Sequence, residues 1–127
     1  MKKIIFLLML GAIGFNMTAT AQKAINSIHF YNVKNADVEK MYIASIKEIN
    51  TIIAEIGFPK NYYSYHKLDA SDTTKTYRNC TIGHWTSEKD YKTIHDHPKF
   101  KAWGDKNKEN NGVYITGQLY RKFYDAD

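Results

Sequence analysis

Along the middle of the chain the apolar positions recur at Val38, Tyr42, Ile46, Ile49, Ile53 and Ile56, three or four residues apart. Lys40, Lys47, Glu48, Thr51 and Glu55 fall between them, so the period is that of an amphipathic helix. Asn35 can cap its start by accepting an orphan backbone N–H, and Asp37 suits the positive helix end. Gly57 and Pro59 stop it, which places the helix over 36–56. Its isoleucines are poor helix formers alone, so burial must hold it.

Four other stretches alternate with the period of a strand: 25–33, 61–68, 76–85 and 113–124. On the first, Ile28 and Phe30 oppose His29, Tyr31 and Val33. On the second, tyrosines fall on both sides and the pattern does not choose a buried face. On the third, Cys80 and Ile82 oppose Asn79, Thr81, Gly83 and Trp85. On the fourth, Val113, Ile115, Leu119 and Phe123 alternate with Tyr114, Thr116, Gln118, Tyr120 and Lys122. Residues 69–75 are all turn chemistry. Thr86 or Ser87 caps a second helix, with Glu88 and Asp90 in its first turn and Tyr91, Ile94 and His95 as its buried stripe. Pro98 disfavours helical backbone at His97, so the helix stops or kinks there. Phe100 and Trp103 share a face of a short second piece that Gly104 ends, and 106–112 reads as a polar turn.

The order β-α-β-β-α-β fits an α+β class of ferredoxin-like type: one four-stranded antiparallel sheet with two helices on one face. The expected helix-facing set is Ile28, Phe30, Cys80, Ile82, Val113, Ile115 and Leu119. The opposite face then carries rings with polar tips, which suit a wet pocket or an interface. Its candidate pocket residues are Trp85, His29, Tyr31, Asn79, Thr81 and Tyr114, with His95 reaching in from the second helix.

Trp85, Ser87, Glu88, Tyr91, His95, Pro98 and Phe100 stand in a segment that resembles one in the dimeric α/β-barrel superfamily known from antibiotic-biosynthesis monooxygenases (ABM). There a tryptophan ends the third strand before a Ser/Glu-rich helix start, and an aromatic, a histidine and a Phe-containing short helix follow. Gly57-Phe58-Pro59 is similar to that family's loop before the second strand. The resemblance implies a homodimeric α/β barrel, with a small aromatic or apolar ligand in each protomer. It also implies cofactor-independent oxidation of a small aromatic compound, with no cofactor or metal. The other reading is a non-catalytic ligand-binding or structural homodimer. The superfamily's haem-degrading branch has an asparagine where Asn32 stands. It also needs a tryptophan where Ile94 stands and a histidine near Trp103 or Gly104, so haem degradation is not expected.

The leader changes the domain boundaries. Lys2 and Lys3 precede an apolar run over 4–14, and Ala19-Thr20-Ala21 is a small-residue cleavage pattern. Residues 1–21 therefore read as a signal peptide and 22–127 as the ABM-like domain, exported to the periplasm or secreted, with no membrane association after cleavage. The formal charge of +5 for the 127-residue chain includes Lys2 and Lys3, so the domain is only mildly basic. The single cysteine, Cys80, excludes an internal disulfide and reads as a small buried hydrophobe.

Three histidines, His84, His95 and His97, raise the question of metal. His95 and His97 do not share a helix face, and zinc needs three or four converging ligands, so no metal site is expected. RNA-binding domains share the element order, but their basic-Gly-aromatic third-strand signature is missing from 76–85, so no nucleic-acid partner is expected.

Overall fold

The computed structural model describes residues 22–69, 71 and 76–125, with backbone alone over 109–114. The leader lies outside the described residues. The elements are β1 (Ile25–Val33), α1 (Ala36–Glu55), β2 (Tyr62–Lys67), β3 (Asn79–Trp85), α2 (Glu88–Asp96), α3 (Pro98–Tyr114) and β4 (Ile115–Tyr124). The strands form one sheet in the order β2-β3-β1-β4, and every neighbouring pair is antiparallel. The helices pack on one face of it, which is the ferredoxin-like arrangement.

The helix starts form as their sequences dictate. Asn35 Oδ1 accepts from the amides of Asp37 at 3.1 Å and Val38 at 2.9 Å. Ser87 Oγ accepts from the Asp90 amide at 3.0 Å. His97 is extended, with ψ 135, so Pro98 separates α2 from α3 and opens α3.

Two expectations are corrected. The first concerns α3, which does not end at Gly104. It runs on to Tyr114, so 106–112 is helical rather than a turn, and Val113 and Tyr114 close the helix instead of opening β4. Polar contacts hold this second half. Buried Asn107 accepts from Ser45 Oγ at 3.2 Å and donates to the Trp103 carbonyl at 2.9 Å. Lys106 Nζ meets Glu48 Oε1 at 2.8 Å. Hydrophobic periodicity does not register such contacts.

The second correction is that the two sheet faces are exchanged, apart from Ile115, which meets α1 as expected. The helices cover Ile25, Ser27, His29 and Tyr31 of β1 with Thr81, Gly83 and Trp85 of β3. One core cluster joins Ile25, Ile49, Ile53, Trp85, Ile94 and Phe100, and another joins Tyr31, Tyr42, Ile46 and Ile115. Ile28, Phe30, Cys80, Ile82 and Leu119 lie on the outer face, where all but Cys80 are half-buried. Polarity misled because the buried rings have their polar tips satisfied. The Trp85 indole N–H donates to Ser27 Oγ at 3.1 Å, and the Tyr31 hydroxyl bonds Thr81. A paired polar atom can be buried at little cost.

Three local devices fix the inner face. The Trp85 indole lies so close to Gly83 that a Cβ there would sit 2.6 Å from Trp85 Cζ2 and 2.6 Å from Ser27 Oγ. Asn50 of α1 clamps the edge strand β2: its Nδ2 donates to the Tyr63 carbonyl at 2.8 Å and its Oδ1 accepts the Tyr63 amide at 2.7 Å. In β4, Phe30 faces Leu119 but Asn32 faces Thr116, so β4 carries one extra residue. Gly117, at φ 63, absorbs it as a bulge. The bulge turns Ile115 into the core while Leu119 stays outside, so one alternation does not run through the whole strand.

Candidate active site

Between the sheet and the helices runs a cleft made of two adjoining hollows, both lined by His29, Tyr63 and Trp103. The inner hollow, about 140 Å³, reaches Thr81, Tyr42 and Gln118. The outer one, about 300 Å³, reaches Ser27, Tyr91, His95, Phe100 and Tyr120. A larger depression of about 340 Å³ lies elsewhere, beside Asn35, Glu39, Lys67 and Arg78. Its carboxylate, Glu39, is already engaged by the Tyr65 hydroxyl at 2.7 Å and by Lys67 at 2.9 Å. The imidazoles His29 and His95 line the cleft instead.

His95 is the group with the clearest chemical role. Its Nδ1 lies 2.7 Å from the Tyr91 carbonyl oxygen, which can only accept, so Nδ1 carries the ring proton. Nε2 of the neutral ring then presents its lone pair, and the Tyr63 hydroxyl, 3.3 Å away, donates to it. Burial lowers the His95 pKa against the opposing pull of the Tyr91 carbonyl, and Lys122 adds to the lowering. Burial also lowers the His29 pKa, with its Gln118 hydrogen bond acting the other way. Both imidazoles are therefore neutral at pH 7. The Tyr63 phenol is pushed up, first by burial and then by Tyr91, and Tyr120 is pushed up by burial and by its bond to Tyr91. These phenols stay protonated, and Tyr63 is the donor to His95.

Aromatic rings build the walls. His29 tilts against Tyr120 with centroids 4.5 Å apart, and His95 lies 4.0 Å from Tyr91 and 4.5 Å from Phe100. The Trp103 indole N–H is closed off from solvent and, among the described residues, meets no hydrogen-bond acceptor.

The candidate residues divide between two places. His29 and His95 line the cleft, and Thr81 lines its inner end. Trp85 is 2% exposed and lies behind the wall, edge-on to Tyr63 at 5.1 Å and to His95 at 5.0 Å. Tyr31 and Asn79 sit farther along the sheet in a tyrosine network. Tyr31 and Tyr42 share Thr81 there, and Asn79 Nδ2 donates to the Tyr65 hydroxyl at 2.6 Å. The Tyr114 side chain lies outside the described residues. Tyr63 and Trp103 were not among the candidates. Asn50, which breaks the aliphatic stripe of α1 beside β2, was the available signal for Tyr63. Nothing in the local pattern separates Trp103 from a packing residue. Among the described residues, no three His, Cys, Asp or Glu side chains gather as metal ligands.

No family model and no curated protein matches the chain. Solved structures do. A dimeric ferredoxin-like protein of unknown function from Thermobifida fusca superposes with a TM-score of 0.58 at 13% identity, over 81% of this chain and 92% of that one. A hydroxynitrile lyase from Passiflora edulis superposes with a TM-score of 0.63 at 12% identity, over 83% and 95%. A cofactor-independent oxygenase from Streptomyces nogalater gives 0.51 at 12% identity, over 80% and 91%. The fold is the one these proteins share. At these identities the likeness reaches the fold alone, and the residues of the cleft must argue for chemistry.

Proposed function

We propose that this chain is an exported homodimer whose cleft binds a small aromatic hydroxyl compound. His95 Nε2 takes the ligand's hydroxyl proton, and the electron-rich anion then reacts with dioxygen without a resident cofactor, one oxygen atom entering the ring as it is oxidised to the quinone level and the other leaving as water. The observation that carries the reading is the fixed tautomer of His95. Its donor side is spent on the Tyr91 carbonyl, so its lone pair stands at the cleft wall as a general base near neutral pH. The ligand hydroxyl would displace the Tyr63 hydroxyl from Nε2, and the aromatic walls would hold its ring. The oxygenase of the same fold supports oxidation as the reaction. The half-buried apolar outer face and the dimeric structures of this fold support the homodimer. The pattern at 1–21 supports export, and N-terminal sequencing of the exported protein should begin at Gln22.

The test is oxygen uptake across a panel of aromatic diols and hydroquinones, with His95→Ala losing at least about tenfold in kcat. A second reading is a non-catalytic binder, favoured by the Tyr63 hydroxyl that occupies the His95 lone pair at rest. Ligand quenching of tryptophan fluorescence without oxygen uptake would select that reading.

A further inference from the structure

The outer sheet face holds a second polar cluster, apart from the cleft. Tyr62, Ser64 and His66 of β2 share this face with Ile82 and His84 of β3. Ser64 Oγ lies 2.8 Å from His66 Nε2, 2.9 Å from His84 Nε2 and 3.4 Å from the Ile82 carbonyl oxygen. A hydroxyl has one proton to give. In the uncharged cluster one imidazole donates to Oγ and the other accepts from it, so every group is satisfied. A proton added to the accepting ring aims two N–H donors at one oxygen. It turns the hydroxyl proton toward the longer Ile82 contact and leaves a charge on the face.

The surroundings are apolar. Ile28, Phe30, Ile82 and Leu119 are half-buried, while Tyr62 is 45% and Phe123 40% exposed. Tyr62 stacks on His84 with centroids 4.6 Å apart. The groups facing His84 are His66 on β2, Asn26 on β1 and Asp125 past β4, with Arg121 farther along β4. Asp125 already accepts from Asn26 Nδ2 at 3.3 Å.

We propose that His66, Ser64 and His84 form a proton-sensitive latch in the contact that a second copy of this chain makes with the outer sheet face. The inference rests on the homodimer reading. A two-fold contact is self-complementary, so each protomer brings its own cluster to the interface. Covering a neutral, fully bonded cluster costs little, whereas covering an unpaired imidazolium costs a great deal. Burial and His66 already lower the His84 pKa in the single chain, against Asp125. A second copy lowers it further. Association is therefore complete above the free protomer's imidazole value and is lost as pH falls below it. With one proton taken up per protomer, the dimer Kd rises by up to about 100-fold per pH unit.

Sedimentation velocity on the purified protein between pH 7.5 and 5.5 tests the latch, with circular dichroism confirming the fold at each pH. The expected result is a Kd at least about tenfold weaker at pH 5.5 for wild type and a flat profile for His66→Gln/His84→Gln. Ser64→Ala, which keeps both rings but removes the bridge, should move the midpoint by about half a pH unit or more. A pH-independent wild-type dimer overturns the latch, as does a double variant that keeps the wild-type slope or an unmoved Ser64→Ala midpoint. A protein that is monomeric throughout overturns the homodimer reading itself.

Discussion

Gly83→Ala should be among the most damaging single-methyl changes in the protein. The added Cβ would stand 2.6 Å from Ser27 Oγ, 2.6 Å from Trp85 Cζ2 and 2.8 Å from Trp85 Cε2. Comfortable carbon contacts begin near 3.5 Å, so the overlap is close to an ångström. The indole is rigid and hemmed in by Tyr63, Tyr91 and His95, so it cannot move aside alone. Overpacking of this kind costs about 1–3 kcal/mol. Displacing the ring also breaks the N–H bond to Ser27, worth about 1 kcal/mol. The lower unfolded-state entropy of alanine returns about 0.4–1 kcal/mol. The net loss is about 1–3.5 kcal/mol, or roughly 5–25 °C in Tm for a domain of this size. Urea denaturation followed by circular dichroism measures it. Gly104→Ala is the matched control: it sits in α3 with nothing within 4 Å of its would-be Cβ, and should stabilise by about 0.5–1 kcal/mol. If Gly83→Ala unfolds within about 0.5 kcal/mol of wild type, the packing argument for Trp85 is wrong.

Asn50→Ala leaves both the amide and the carbonyl of Tyr63 without their partner, and should cost about 2–3 kcal/mol by chemical denaturation. Trp103→Phe removes an indole N–H with no partner among the described residues, whereas Trp85→Phe removes one that bonds Ser27. The second should therefore destabilise by about 1 kcal/mol more than the first. His29 and His95 are held neutral by burial, so their folded pKa values lie below the unfolded one. The stability this contributes is whole above about pH 6.5 and declines as pH falls below it, and Tm measured from pH 7.5 to 5 should drop over that window. Tyr63→Phe withdraws the donor that favours the neutral His95 ring. The His95 pKa, followed by NMR of its ring protons, should rise.

The sequence was most legible where local chemistry acts alone. The strand over 25–33, the Asn35 and Ser87 caps and the break at Pro98 all formed where residue pattern placed them. The element order, and with it the fold, followed. What stayed hidden depends on partners distant in sequence. The far half of α3 is held by Asn107 against Ser45 and by Lys106 against Glu48, contacts with no periodic signature. The expected buried face of the sheet was the wrong one because both faces carry large apolar groups. The deciding fact is that Ser27 and Thr81 satisfy Trp85 and Tyr31. His29 and His95 were legible as candidates, but the tautomer on which the role proposed for His95 rests depends on where the α2 backbone places the Tyr91 carbonyl.

The Gly117 bulge gives β4 two reading frames. From Leu119 onward its odd-numbered residues point away from the helices, yet Ile115, also odd, points toward them. Excising Gly117 would straighten the ladder yet leave Ile115 opposite Val33 and facing the core, whereas pairing Gly117 in register without the bulge would turn Ile115 outward. The deletion would instead remove the bulged backbone that aims Gln118, the partner of His29, at the inner end of the cleft. The length of this strand, and not only its composition, is therefore a determinant of the cleft. Relatives that keep or lose the extra residue should sort into chains with differently shaped inner ends, even where every lining side chain is the same.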